Sequence, residues 1–395
     1  MARLLRLRSI RSLLLAGAAA LLLTGTVACE GDYRPRATGE EGAITVVVDS
    51  TNWKGPLGEA IRSSLGPYVE TLPTAERYFK LKQVDLDSER TYESVKDRKN
   101  VVFIAPLSDS TNEANFLRRR LSPEARDAVL SGQQAVVEKP NLWRRSQRVY
   151  FVTAATAEDL ARALEDRGAE MRQSFKSVTL DRMEQEMFEK ARQTGLEDSL
   201  MRTHDFAVNV QHDFVLADQN RTDSTGFVYL RRVLTDTWRN VMIYYEEDAR
   251  PAELTPEWIT TTRDSLSRIY QRGNVAGFMR TDYRRPLEVR ETDFLDRYAY
   301  ESRGLWHMVA LSDSVNAEPS LGKYVELGMG GPFVNYSFYD QASGRLYLID
   351  GSVFAPGYDK LDFLRHMEII ARTFRTRQDA PSSGDAVASA QNRSE

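Results

Sequence analysis

The sequence predicts a mixed α+β and α/β fold, a sheet-and-helix sandwich in two halves joined by a long helical segment. Three observations carry that expectation. Residues 44–48 (ITVVV), 101–104 (VVFI) and 149–152 (VYFV) are short β-branched or aromatic runs without alternation, as strands buried on both faces require. Residues 156–204 are dominated by helical spacing. Residues 333–374 read as a hairpin followed by one amphipathic helix.

Residues 1–12 hold Arg3, Arg6, Arg8 and Arg11 and no acid, and residues 13–23 (LLLAGAAALLL) carry no polar side chain. A basic segment followed by a short apolar one is the pattern of a secretory signal. At about 1.5 Å per residue this run is far too short for a hydrocarbon core roughly 30 Å thick, so it predicts a leader and not a permanent span. Residues 24–29 (TGTVAC) resemble the lipobox of bacterial lipoproteins, with Thr26 where Leu, Val or Ile is usual. The resemblance implies a signal peptide of residues 1–28, cleavage before Cys29 and acylation of Cys29, which ties the chain to a membrane. Cys29 is the only cysteine of 395 residues, so no internal disulfide competes for it. The alternative is a soluble secreted protein. Glu30 stands where an aspartate in many lipoproteins favours inner-membrane retention, and the acidic start resembles surface-export signals of some Bacteroidetes lipoproteins. The expected place is the cell envelope, the outer membrane before the inner, with periplasmic or surface exposure left open.

The elements follow in order. Residues 29–43 are polar and predict a tether, and residues 44–155 predict an N-terminal α/β half. Within it, residues 57–69 have helical spacing stopped by Gly66-Pro67, and residues 78–84 alternate as a half-exposed strand. Residues 156–204 predict a helical connector with a break near 177–179, its Met183, Met187 and Phe188 face being core. Residues 205–376 predict a C-terminal α+β half. Its strands are expected at 206–216, 226–232 and 241–245, with a polar loop at 218–225. A helix is expected from Thr255 as N-cap, with Pro256 at its first position, Leu254 stapled to Ile259 and Gly273 as its end. The hairpin then pairs 333–339 with 345–354, and a last helix covers 360–374. Residues 135–166 and 333–374 both read strand, turn, strand, helix, a faint internal echo. Residues 377–395 are almost free of apolar side chains and predict disorder.

Removing residues 1–28 takes away four of the 53 basic residues and none of the 57 acidic ones, leaving a net charge of −8. That balance argues against nucleic acid as a partner. The basic-aromatic segment 143–150 (WRRSQRVY) reads as a solvated approach to a strand. With 42% hydrophobic residues the mature chain can bury a sizeable core without disulfides.

Residues 303–308 (RGLWHM), 330–336 (GGPFVNY) and 351–357 (GSVFAPG) with the closing helix resemble an uncharacterised lipoprotein family of Bacteroidetes and relatives. The resemblance implies a lipoprotein and brings no activity, cofactor or catalytic residue with it.

Few residues of the chain fall into patterns that carry chemistry. Gly351-Ser352 lacks the second half of a nucleophile elbow and sits in a strand-like run. His204, His212, His307 and His366 form no short ligand pair, so no metal is expected and the histidines read as surface residues. His204 and His212 flank one expected strand, too far apart to share an ion unless the chain turns. Residues 246–248 (EED) are a carboxylate cluster read first as solvation. Residues 328–332 (GMGGP) precede a strand and predict a flexible turn in place of a phosphate cradle. No motif calls for a cofactor, and no catalytic residue is assigned. The best ligand-binding candidates are Asp49, Ser50, Thr51, Asn52, Trp53 and Lys54 after the first buried strand, joined by Ser108 and Asp109 after the second if those strands are adjacent. Helix capping is the competing account of the same residue types.

Three functions remain. The first is a non-catalytic envelope lipoprotein that binds or scaffolds another envelope component, such as an envelope protein. The second is a solute-binding lipoprotein using residues 49–55. The third is a carboxylate-dependent envelope hydrolase.

Overall fold

Two sheets, one mostly parallel and one antiparallel, share a single long helix. The computed structural model describes residues 33–379 apart from 190, 274, 275 and 316, so the leader, Cys29 and residues 380–395 lie outside the described residues.

The N-terminal sheet contains β1 (Ala43–Val47), β2 (Lys80–Val84), β3 (Asn100–Ile104), β4 (Val136–Pro140) and β5 (Arg148–Val152) in the order β2-β1-β3-β5-β4. All neighbours are parallel except β4, which closes the edge antiparallel to β5. Every residue of β1 and β3 is buried, which is why those runs do not alternate. The connections hold α1 (Ser50–Lys54), α2 (Pro56–Leu65), α3 (Glu89–Lys96), α4 (Asn112–Arg118) and α5 (Pro123–Leu130). Helix α6 (Ala157–Glu189) follows β5 and α7 (Thr194–His204) follows it. On one face Ile44, Val46 and Val102 pack against Leu57 and Ile61 of α2 and Leu164 and Phe175 of α6. On the other, Val101 and Phe103 pack against Val95, Phe116 and Leu117.

The C-terminal half contains β6 (Phe206–Ala207), β7 (Val215–Arg221), β8 (Thr225–Val233), β9 (Trp238–Glu246), α8 (Pro256–Tyr270), β10 (Gly277–Thr281), β11 (Glu288–Asp293), β12 (Tyr298–Leu311), α9 (Ser312–Val315), β13 (Tyr324–Asp340), β14 (Arg345–Phe354), α10 (Leu361–Arg372) and β15 (Arg375–Thr376). The large sheet runs β10-β12-β13-β14-β9-β8-β7, with β11 also on β12, and β15 pairs β6 apart from it. Helix α8 covers one face, with Leu266 on Phe227, Met242 and Leu348. The other face packs Val228, Ile243 and Ile349 against α10 and against Leu180, Met183 and Met187 from the second half of α6. One helix therefore contributes to both cores. Helix α6 crosses α2 so closely that a Cβ on Gly168 would stand 2.6 Å from the Cβ of Ser64.

Several expectations hold. Thr255 caps α8 by accepting from the Trp258 amide, and Leu254 and Ile259 share a cluster. The hairpin forms with Phe333 opposite Ser352 and Asp340 opposite Arg345. The echo has a structural counterpart, since β4-β5-α6 and β13-β14-α10 are both antiparallel hairpins followed by a helix.

Others are corrected. No break occurs near 177–179, because Thr179 is buried and its hydroxyl joins Arg182 and Asn100 in a polar knot that keeps α6 continuous. The strand expected at 206–216 is only β6, and the polar stretch after 215 is the exposed edge strand β7. Residues 328–332 are not a turn. They lie inside β13, where Gly328 adopts φ +71° and the register against β12 shifts between His307 and Val309. Helix α8 ends at Tyr270, short of Gly273. The tether is shorter than expected, since Arg36 and Thr38 bridge Arg145 and Arg98. Glu41 also pairs with Lys99 and, at 2.8 Å, with Arg182. Arg377 and Asp379 of the tail pair with Asp205 and Arg297.

The halves are clamped by an anion at a helix N-terminus. Both carboxylate oxygens of Glu76 accept from the Lys360 amide at 2.9 Å, and one also accepts from Leu361. The unpaired amides at the start of α10 are thereby satisfied.

Candidate functional site

The strand order places the chain reversal between β1 and β3, because the connections after β1 and after β3 proceed to opposite sides. Ligands in open α/β sheets sit outside the carboxyl ends of strands at such a point. The loops after β1 and β3 do open on the same end. Asn52 Nδ2 donates to Asp109 Oδ2 at 2.7 Å, so the two sequence-predicted clusters meet.

What they form is largely a set of internal caps. Asp49 accepts from the amides of Thr51 and Asn52 and from Asn52 Nδ2. Ser50 donates both its amide and its hydroxyl to Asp85 at 2.7 Å. Burial pushes the Asp85 carboxyl up, but the bonds from Ser50 and Gln83 outweigh it and hold it below its usual range. Ser108 Oγ reaches Asp109 at 3.4 Å. Trp53 does not line the crevice as expected. It packs on the core, with the Arg62 guanidinium 5.0 Å from its ring centroid. Thr51 and Lys54 are exposed.

The histidine expectation is corrected. His204 is fully buried, 3.2 Å from the Tyr245 hydroxyl, and His307 is buried with Nδ1 2.9 Å from Glu326. His366 faces Arg239 at 2.9 Å, and burial pushes it down to about 4. Only His212 of the four is exposed. The 246–248 carboxylates are also engaged: Glu246 accepts from Trp258 Nε1, and Glu247 pairs with Arg345 at 2.7 Å.

The C-terminal half holds a buried ionic chain. Arg303 bridges Glu301 at 2.6 Å and Glu368 at 2.9 Å, Lys176 of α6 pairs with Glu368, and Arg290 and the Tyr336 hydroxyl close on Glu301. It borders a cleft of about 530 Å³. Burial raises both carboxyl groups, yet the surrounding cations overcome it and hold both below the usual range. Both are therefore ionised at neutral pH. A general acid needs the opposite shift, so the arrangement clamps α6 and α10 to the sheet and does not divide acid and base roles.

Two further clefts differ in kind. One of about 920 Å³ along the second half of α6 is walled by Arg145, Arg148 and Arg182 with Asp181, Glu184 and Glu189, and is wide open. The other, of about 400 Å³, lies under α4, α5 and the β4-β5 edge, where Tyr92, Leu117, Trp143 and Phe151 give it an apolar wall. Its size and lining fall in the range of small-molecule sites. Sequence reading missed it because its walls come from separate segments of ordinary composition. The available signal was aromatic: Tyr92, Trp143 and Phe151 remain only half-buried in a half with a well-filled core.

Residues 37–188 match the family model of a domain of unknown function, DUF8532, and residues 193–373 match that of a second, DUF4837. The two matches meet near the end of α6, and the expected likeness to an uncharacterised family holds. No curated protein matches the chain.

Proposed function

We propose, for a chain built from two uncharacterised domains, that it is a lipid-anchored envelope lipoprotein whose body binds or scaffolds another envelope component without catalysis. The carrying observation is Cys29, the only cysteine in the chain, directly behind a basic segment, an apolar run and small residues. An acyl group adds about 0.8 kcal/mol per buried methylene and stable anchoring takes more than one chain, which multiple acylation supplies. The likeness to a Bacteroidetes lipoprotein family, the outer membrane as its place and an envelope protein as partner belong to the same reading. Replacing Cys29 by Ala is expected to abolish lipid labelling and release the protein from the membrane fraction. Unchanged fractionation would count against the anchor.

A second reading, small-ligand binding at residues 49–54 and 108–109, is favoured by the convergence of Asn52 and Asp109. Substituting Asn52 would then alter ligand retention without moving the protein from the membrane.

A further inference from the structure

The apolar cleft lies beside the place where the chain emerges toward Cys29. Arg34 donates to the Asn141 carbonyl, the Arg145 amide donates to Pro35 at 3.0 Å, and Arg36 bridges Arg145. Asn141 immediately precedes Leu142 and Trp143, which line the cleft. Cys29 precedes Arg34 by five residues in the sequence, and an extended chain spans at most about 3.6 Å per residue, so the intervening link can reach at most roughly 18 Å. A lipid on Cys29 would hold this face of the body against the bilayer.

The chemistry of the cleft suits what a bilayer offers. Leu142 is 36% exposed at its wall, and Leu130, 49% exposed, ends α5 next to the lining Val129. Arg120 and Lys139 line it, and no carboxylate does, in a protein whose mature chain is acidic overall. The Arg120 guanidinium bonds the Tyr92 hydroxyl at 3.1 Å and sits over the Phe116 ring, and neither cation has an ion pair among the described residues. An apolar hollow with cations and no acids on its wall is complementary to a chain of methylenes ending in an anionic head.

We propose that this cleft takes one acyl chain of an anionic membrane lipid, with Arg120 and Lys139 at its headgroup and the Cys29 anchor holding the cleft at the membrane surface. The proposal rests on the lipoprotein reading for its geometry, and the test separates the two. Bacterial cells making the full chain are fed an alkyne-tagged diazirine fatty acid, irradiated, and the protein is digested for mass spectrometry. The expected result is lipid adducts on peptides covering 117–125 and 135–153, together with acylation of the Cys29 peptide. Ala125→Trp, which fills the cleft, should lower the cleft adducts at least tenfold, and Lys139→Glu several-fold. Lys139 is exposed, so its variant keeps the fold in any case, and melting curves check both. Adducts absent from those peptides, or unchanged in both variants, would overturn the cleft proposal. A crosslink joining the Cys29 peptide to the cleft would overturn the bilayer source and make the protein's own anchor the occupant. Cleft adducts with an unacylated Cys29 would support the cleft while sinking the anchor.

Discussion

Both halves bury an apolar core, and only the C-terminal one adds extended ionic pairing to it. The N-terminal sheet is enclosed mainly by aliphatic and aromatic side chains on both faces, with few buried polar residues on its strands, such as Thr45 and Asn100. The C-terminal sheet encloses charge: Asp350 and Arg263 pair at 2.7 Å with 0% and 1% of their side chains exposed, and Glu301, Arg303 and Glu368 lie on the opposite face with α6 and α10. The difference teaches that one half owes its stability to area and the other is specified by pairing. An apolar core tolerates loss by degrees, whereas a buried ion missing its partner fails at once.

The largest expected effect is therefore at Asp350. Asp350→Ala leaves Arg263 buried without its counter-charge and should cost about 3–5 kcal/mol, read as a fall in the melting temperature. The sharper form is the pair Arg263→Met with Asp350→Leu, which should recover most of that loss. Arg263 Nη2 and Asp350 Oδ1 have no partner among the described residues, so the ion pair is costly to keep dry. A double variant as unstable as the single one would break the comparison. In the N-terminal half, Leu164→Ala removes a fully buried side chain and should cost about 2–5 kcal/mol with no dependence on pH.

Smaller effects probe what joins the halves. Glu76→Ala removes the cap of α10 and should cost about 0.5–2 kcal/mol, visible as a looser C-terminal helix in hydrogen exchange. A separate effect is read in pH. His366 is held at about 4 against an unfolded value near 6.5, so the unfolded chain binds the proton first. The stability it contributes is complete above pH 6.5 and declines as pH falls toward 4, and His366→Asn should flatten that part of the curve. A decline of equal size in the variant would assign the acid sensitivity to other groups.

The same contrast explains what the sequence made legible. Strands β1, β3 and β5 were readable because burial on both faces leaves an apolar run. In the C-terminal sheet β8, β9 and the β13-β14 hairpin were readable from their apolar and aromatic runs. Glu301, Arg303 and Asn335 lie on buried strands, yet as residue types they point to solvent, so the extents of β12 and β13 were missed. Thr179 misled in a similar way: a β-branched polar residue in a helix suggests a break until its partners on another strand are known. At the crevice, the meeting of Asn52 with Asp109 followed from strand adjacency, but the inward packing of Trp53 depends on α2, which residue type alone does not encode.

The most direct test of the account is the intact mass of the N-terminal peptide from protein extracted with its membrane. The account predicts a chain that begins at Cys29 and carries acyl groups on that residue. A leader still attached, or a free thiol at Cys29, would contradict it.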